Sequence, residues 1–141
     1  MGTPLAPYVG ERRPRILIVD DEPVNLKVLA AHLVRWGCVV EQASSGSEAL
    51  ARIPQFGPDL ILLDVMMPGQ SGLDVCRHIQ ADPVLRRIPV IFLSAAAGDQ
   101  AKELGLEVGA RDYVTKPFMS ADLAARVGAQ LQQRYAEDGN G

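Results

Sequence analysis

Five short apolar runs punctuate the chain: ILIV at 16–19, VV at 39–40, LILL at 60–63, VIFL at 90–93 and YV at 113–114. They set strands at 15–20, 39–43, 60–63, 90–93 and 112–115. Four of these are almost wholly apolar, the composition of parallel strands covered on both faces. Between them the apolar residues recur at helical spacing. Successive βα units imply a parallel sheet with helices on both sides, and such sheets bind ligands beyond the carboxyl ends of their strands.

The helices carry their own punctuation. Pro23 suits a first helical position after Asp21 or Glu22 as cap. Val24, Val28, Leu29, Leu33 and Trp36 then mark one apolar face, and Gly37 stops the helix. Leu26 exceeds that stripe and is expected on a surface that docks a kinase. Ser45 or Ser47 caps a second helix, with Glu48 at the positive end of its dipole and Pro54 and Gly57 after its end. Residues 72–81 give a third, with Leu73, Cys76 and Ile79 on one side. Residues 99–108 give a fourth, interrupted by Gly105 at about 1 kcal/mol relative to alanine. Ser120 caps the fifth, carrying Leu123, Val127 and Leu131. Residues 1–13 hold prolines and glycines without periodicity and read as a flexible leader; 136–141 read as a disordered tail.

Every unusual polar residue falls at the same edge of this sheet. Asp20 and Asp21 end the first strand, Asp64 follows the third, Ser94 the fourth and Lys116 the fifth. Converging carboxylates raise one another's pKa unless a cation neutralises them. Mg2+ suits a few carboxylates supplemented by water and phosphate oxygens. On their own, Asp20 and Asp21 could equally cap the helix at Pro23. Singly, Lys116 reads as a surface lysine and Ser94 as a strand-end hydroxyl. Their joint placement with Asp64 argues for a site that stabilises a transferring phosphoryl group, with Asp64 as nucleophile.

Composition removes several classes. The 141 residues make one domain with a sizeable core, and 48% hydrophobic with 22% charged residues describes a globular chain. The net charge of −3 gives no electrostatic footprint for nucleic acid. No run approaches the roughly 20 apolar residues of a membrane span. There is no secretory signal pattern, and Cys38 and Cys76 lack paired metal or redox spacing, which fits the reducing cytoplasm. His32, His78, Trp36 and Met67 read as packing or surface residues. Asn25 reads equally as a solvated helix residue or as an aid to metal-bound water.

Four segments, in order and at matching separations, carry a family resemblance: DD at 20–21, LLDVMMPGQSGLDVCRHI around Asp64, PVIFLSA ending in Ser94 and Ala95, and GARDYVTKPF around Lys116. Together they resemble the receiver domain of two-component response regulators over residues 14–135. The resemblance implies a flavodoxin-like, doubly wound (βα)5 fold, with a five-stranded parallel sheet in the order 2-1-3-4-5.

It also implies a phosphorylation-controlled switch rather than an enzyme with an external substrate. Asp64 would accept a phosphoryl group from a sensor histidine kinase or a histidine phosphotransfer domain. Asp21 and Asp64 would bind Mg2+ with the backbone carbonyl of Met66, and Asp20 would act through water. Ser94, Ala95 and Lys116 would hold the phosphoryl oxygens, with a cis bond before Pro117. Ser94 and Tyr113 would be the switch pair, altering the surface of the fourth helix, fifth strand and fifth helix. That surface could serve a homodimer, a partner or a C-terminal output domain of a longer parent chain.

Serine stands at 94 where threonine is commoner in the family. Met66 and Ala96 lack groups that orient water, which implies a long-lived phosphoryl-aspartate. An aspartyl-phosphatase reading would want an acid/base aspartate where Met66 stands. A degenerate dimerisation module would lack the acceptor or the lysine.

Overall fold

A computed structural model describes residues 3–67, 69, 71–94 and 107–139. Five strands, β1 (Arg15–Val19), β2 (Val39–Ala43), β3 (Leu60–Asp64), β4 (Val90–Ser94) and β5 (Asp112–Thr115), form one parallel sheet in the order β2-β1-β3-β4-β5. The flavodoxin-like order expected from the resemblance is therefore the one observed. Every residue of β3 and β4 is buried, because helices cover both faces of these central strands.

Helices α1 (Ala6–Val9), α2 (Pro23–Arg35), α3 (Gly46–Phe56), α4 (Gly72–Ala81) and α5 (Ser120–Gly139) accompany a 3-10 turn at Leu85–Arg87. The sheet divides two cores. On one face Ile16, Ile18, Leu60, Leu62, Ile91 and Leu93 meet side chains of α1, α2 and α5. On the other, Leu17, Val19, Ile61, Leu63, Val90 and Phe92 meet those of α3 and α4. Cys38 and Cys76 lie in opposite cores, both free and buried, so no disulfide joins them. Burial pushes their thiols up to about 12 and about 11 respectively.

Helix α2 corrects the expected stripe. Its core side is Leu26, Leu29, Leu33 and Trp36, a clean helical progression, whereas Val24 and Val28 are 69% and 43% exposed. Leu26 is thus a core residue and not part of a docking surface. No side chain caps α2 from Glu22; instead the Asp20 carboxylate accepts the Glu22 N–H at 3.0 Å. Helix α3 runs through Pro54 to Phe56 rather than ending before it, and Ser45 is its cap, accepting the Glu48 N–H. The helix expected over 99–108 lies almost wholly outside the described residues.

Both termini also depart from expectation. Residues ahead of β1 are not a loose leader: Leu5 is fully buried, Val9 nearly so, and both join the core of α2 and α5. Tyr8 lies over Gly128, where a Cβ would come within 2.2 Å of its ring. The Arg12 guanidinium stacks 4.2 Å from the Tyr135 ring centre, and Arg13 donates to the Gly37 carbonyl at 3.5 Å. The aperiodic sequence concealed a strap anchored by a few apolar residues. At the other end, α5 continues through 136–139, assisted by an Arg134–Asp138 ion pair at 3.2 Å. Among the described residues, no helix is long and apolar enough to cross a membrane.

Candidate phosphoryl-acceptor site

The parallel register delivers the polar residues to one edge. Asp20 follows the last residue of β1, and its N–H continues the ladder to the Ala43 carbonyl at 3.1 Å. Asp64 ends β3 opposite Leu93, and Ser94 ends β4 opposite Thr115. The next residue, Lys116, donates its N–H to the Ser94 carbonyl at 2.7 Å, and its bond to Pro117 is cis, as the resemblance implied.

Lys116 joins the acids. Its Nζ lies 3.0 Å from Asp20 Oδ2 and 3.3 Å from Asp64 Oδ2. Asp20 is wholly buried, with its other oxygen occupied by the Glu22 N–H. Asp64 is 5% exposed, and its Oδ1 accepts the Met66 N–H at 3.1 Å. Asp21 is partly exposed, and one oxygen from each of Asp20, Asp21 and Asp64 falls within 4.8 Å of the others.

One ammonium against three carboxylates leaves this edge under-neutralised. Burial and the neighbouring Asp20 charge raise the Asp64 pKa from 3.8 to about 6, although Lys116 and the Met66 N–H pull the other way. Burial works against the Lys116 charge, yet its hydrogen bond to Asp20 and the fields of Asp64 and Asp20 hold the ammonium above its ordinary range. A hard dication fits such a donor set, since it would relieve carboxylate repulsion with oxygen ligands alone.

Of the other expected site residues, Ser94 is buried at the strand end, while Tyr113 is half-buried on β5 opposite Phe92. The Arg126 guanidinium sits 5.3 Å from the Tyr113 ring centre and pairs with Asp112 and Asp122 at 2.6 and 3.0 Å. Ala95 and Ala96 lie outside the described residues. The Met66 side chain is 73% exposed, and with Asp21, Val65, Met67 and Ser71 it lines a recess of about 430 Å3 beside the acids.

Sequence reasoning started the third helix at Gly72, as observed, but missed that this glycine sits against the backbone of Asp64. A glycine immediately behind a Ser cap was the available signal. It also missed the exposed apolar residues Val24, Val28 and Met119 on the segments that follow the site's aspartates and lysine.

Comparison with known proteins gives a consistent result. The family model described as the response regulator receiver domain matches residues 16–128. The DNA-binding response regulator MtrA of Mycolicibacterium smegmatis is 42% identical over 125 residues, covering 89% of this chain and 54% of that protein. The chain thus spans about half the length of this curated relative. Among solved structures, a CheY-like response regulator receiver domain protein from Methanospirillum hungatei superposes with a TM-score of 0.82 at 27% identity, covering 89% of this chain and 99% of that one. The signal receiver domain of a signal transduction histidine kinase from Syntrophus aciditrophicus gives 0.79 at 37% identity, covering 85% and 91%.

Proposed function

The chain belongs to the response regulator receiver family, and from that premise we propose that it is a switch whose Asp64 carries the signal as an acyl phosphate. The observation that carries the reading is the Lys116 ammonium lodged between Asp20 and Asp64, with an Asp21 oxygen close enough to share one cation with them.

An ionised Asp64 oxygen would attack the phosphorus of a phosphohistidine on a sensor kinase or phosphotransfer domain. The P–N bond breaks, and the departing imidazole nitrogen keeps the electron pair and takes up a proton. Lys116, already beside Asp64, would meet the incoming phosphoryl oxygens. The Ser94 hydroxyl and the Ala95 N–H would donate to the same oxygens. Asp21, Asp64 and the Met66 carbonyl would hold Mg2+, with Asp20 acting through water; the bound ion supplies positive charge to the phosphoryl oxygens. The full burial of Asp20 and its pairing with Lys116 support that indirect role.

The message would leave through Ser94 and Tyr113. They end and line adjoining strands, and Arg126 ties Tyr113 and Asp112 to α5. A surface of β5, α5 and the helix expected over 99–108 would then engage a second copy, a partner or an output domain of a longer parent chain, in the cytoplasm. On this reading the chain catalyses only its own phosphorylation and dephosphorylation.

Incubation with a small-molecule phosphodonor, with and without Mg2+, tests the proposal by intact mass. The parent is expected to gain a phosphoryl group only with the ion, and Asp64→Asn to gain none. Equal labelling of Asp64→Asn, or labelling of the parent indifferent to Mg2+, would overturn it.

A further inference from the structure

Gly72 occupies the first position of α4, directly behind the cap Ser71. Among ordinary helix residues only proline is a poorer helix former than glycine, so propensity does not explain it. Close approach does. A Cβ at residue 72 would lie 2.2 Å from the carbonyl oxygen of Asp64, 3.0 Å from its carbonyl carbon and 2.9 Å from the Cα of Val65. All three are backbone atoms, so no side-chain rotation can make room.

The Gly72 N–H also donates to the Val65 carbonyl at 2.9 Å. The first turn of α4 therefore rests on the peptide that bears Asp64. One residue further along, the Met66 N–H fixes Asp64 Oδ1 at 3.1 Å. We infer that Gly72 is a positioning residue for Asp64. Its missing side chain lets α4 press against the Asp64–Val65 backbone so that the next N–H, that of Met66, is aimed at the acceptor carboxylate. The inference deepens the proposed function and rests on Asp64 being the acceptor.

Gly128 supplies a control for a close-packed helical glycine outside the site, because a Cβ there would come within 2.2 Å of the Tyr8 ring, a side chain rather than backbone. Gly72→Ala and Gly128→Ala would be compared with the parent in the full chain. The first readout, amide hydrogen exchange at Met66 without divalent ions, requires no phosphoryl transfer. The second is the rate of labelling by a small phosphodonor with Mg2+.

Gly72→Ala is expected to speed Met66 exchange by about tenfold, as a local opening does. It is expected to slow labelling about tenfold or more, as a misplaced nucleophile does. Gly128→Ala is expected to keep the parent's values in both. Parent-like Met66 exchange in Gly72→Ala overturns the inference. So does an equal response in Gly128→Ala, or a Gly72→Ala chain more stable than the parent, the outcome helix propensity alone would give. If Gly72→Ala is partly unfolded, both measurements are repeated in stabilising osmolyte, and parent-like exchange in the folded fraction overturns it equally. Should the parent itself fail to label, the reading of Asp64 as acceptor falls, while the Met66 comparison still decides whether Gly72 shapes the turn.

Discussion

Residue 64 carries a carboxyl group whose charge the fold resists. Its pKa stands at about 6 against an ordinary 3.8, burial first and Asp20 second. Between those two pH values the folded chain binds more protons than the unfolded one, so stability falls as pH rises through this window. Above it the ionised carboxylate is a standing cost. Without divalent ions at about pH 7.5, Asp64→Asn should exceed the parent in stability by about 1–3 kcal/mol. The gap should close below about pH 4, and urea midpoints at the two pH values check both statements. A parent as stable as Asp64→Asn at the higher pH would mean that Lys116 alone neutralises the acids. Clustered acids beside a single lysine made this tension visible in the sequence. The partner order was not: Lys116 pairs with Asp20 as well as with Asp64, which depends on how three strand ends meet.

The elements were largely readable from periodicity. All five strands appear within a residue of expectation, and uninterrupted apolar runs specify the three central ones, β1, β3 and β4. Helix α2 shows where pattern reading slips: with so many aliphatics, two stripes compete. The progression Leu26, Leu29, Leu33, Trp36 fits one face better than the set chosen around Val24 and Val28. That correction moves the candidate docking residue. Val24 is 69% exposed near the start of α2, three residues after Asp21, whereas Leu26 is 7% exposed. Val24→Asp should fold as the parent does and slow transfer from a phosphohistidine protein while leaving labelling by a small phosphodonor unchanged. Leu26→Asp should instead lose stability by several kcal/mol through a buried unpaired charge. Thermal melts and the paired transfer rates separate these outcomes, and unchanged protein-to-protein transfer in Val24→Asp would remove this face from the docking surface.

At the scale of the whole molecule, what escaped the sequence is the strap before β1. Prolines and glycines hide its anchors, and burial of Leu5 depends on a cleft that exists only once α2 and α5 pack on the sheet. Leu5→Ala should cost about 2–5 kcal/mol and expose the bond after Arg12 to trypsin, against a parent that resists cleavage there. Equal cleavage would show the strap undocked in solution. The family's own match begins at residue 16, beyond the strap. A shortened chain starting there would leave the Trp36–Tyr135 side without its lid, and molecules so trimmed would tend to clump through that bare patch, a loss of solubility owed to the missing lid and not to the phosphate chemistry.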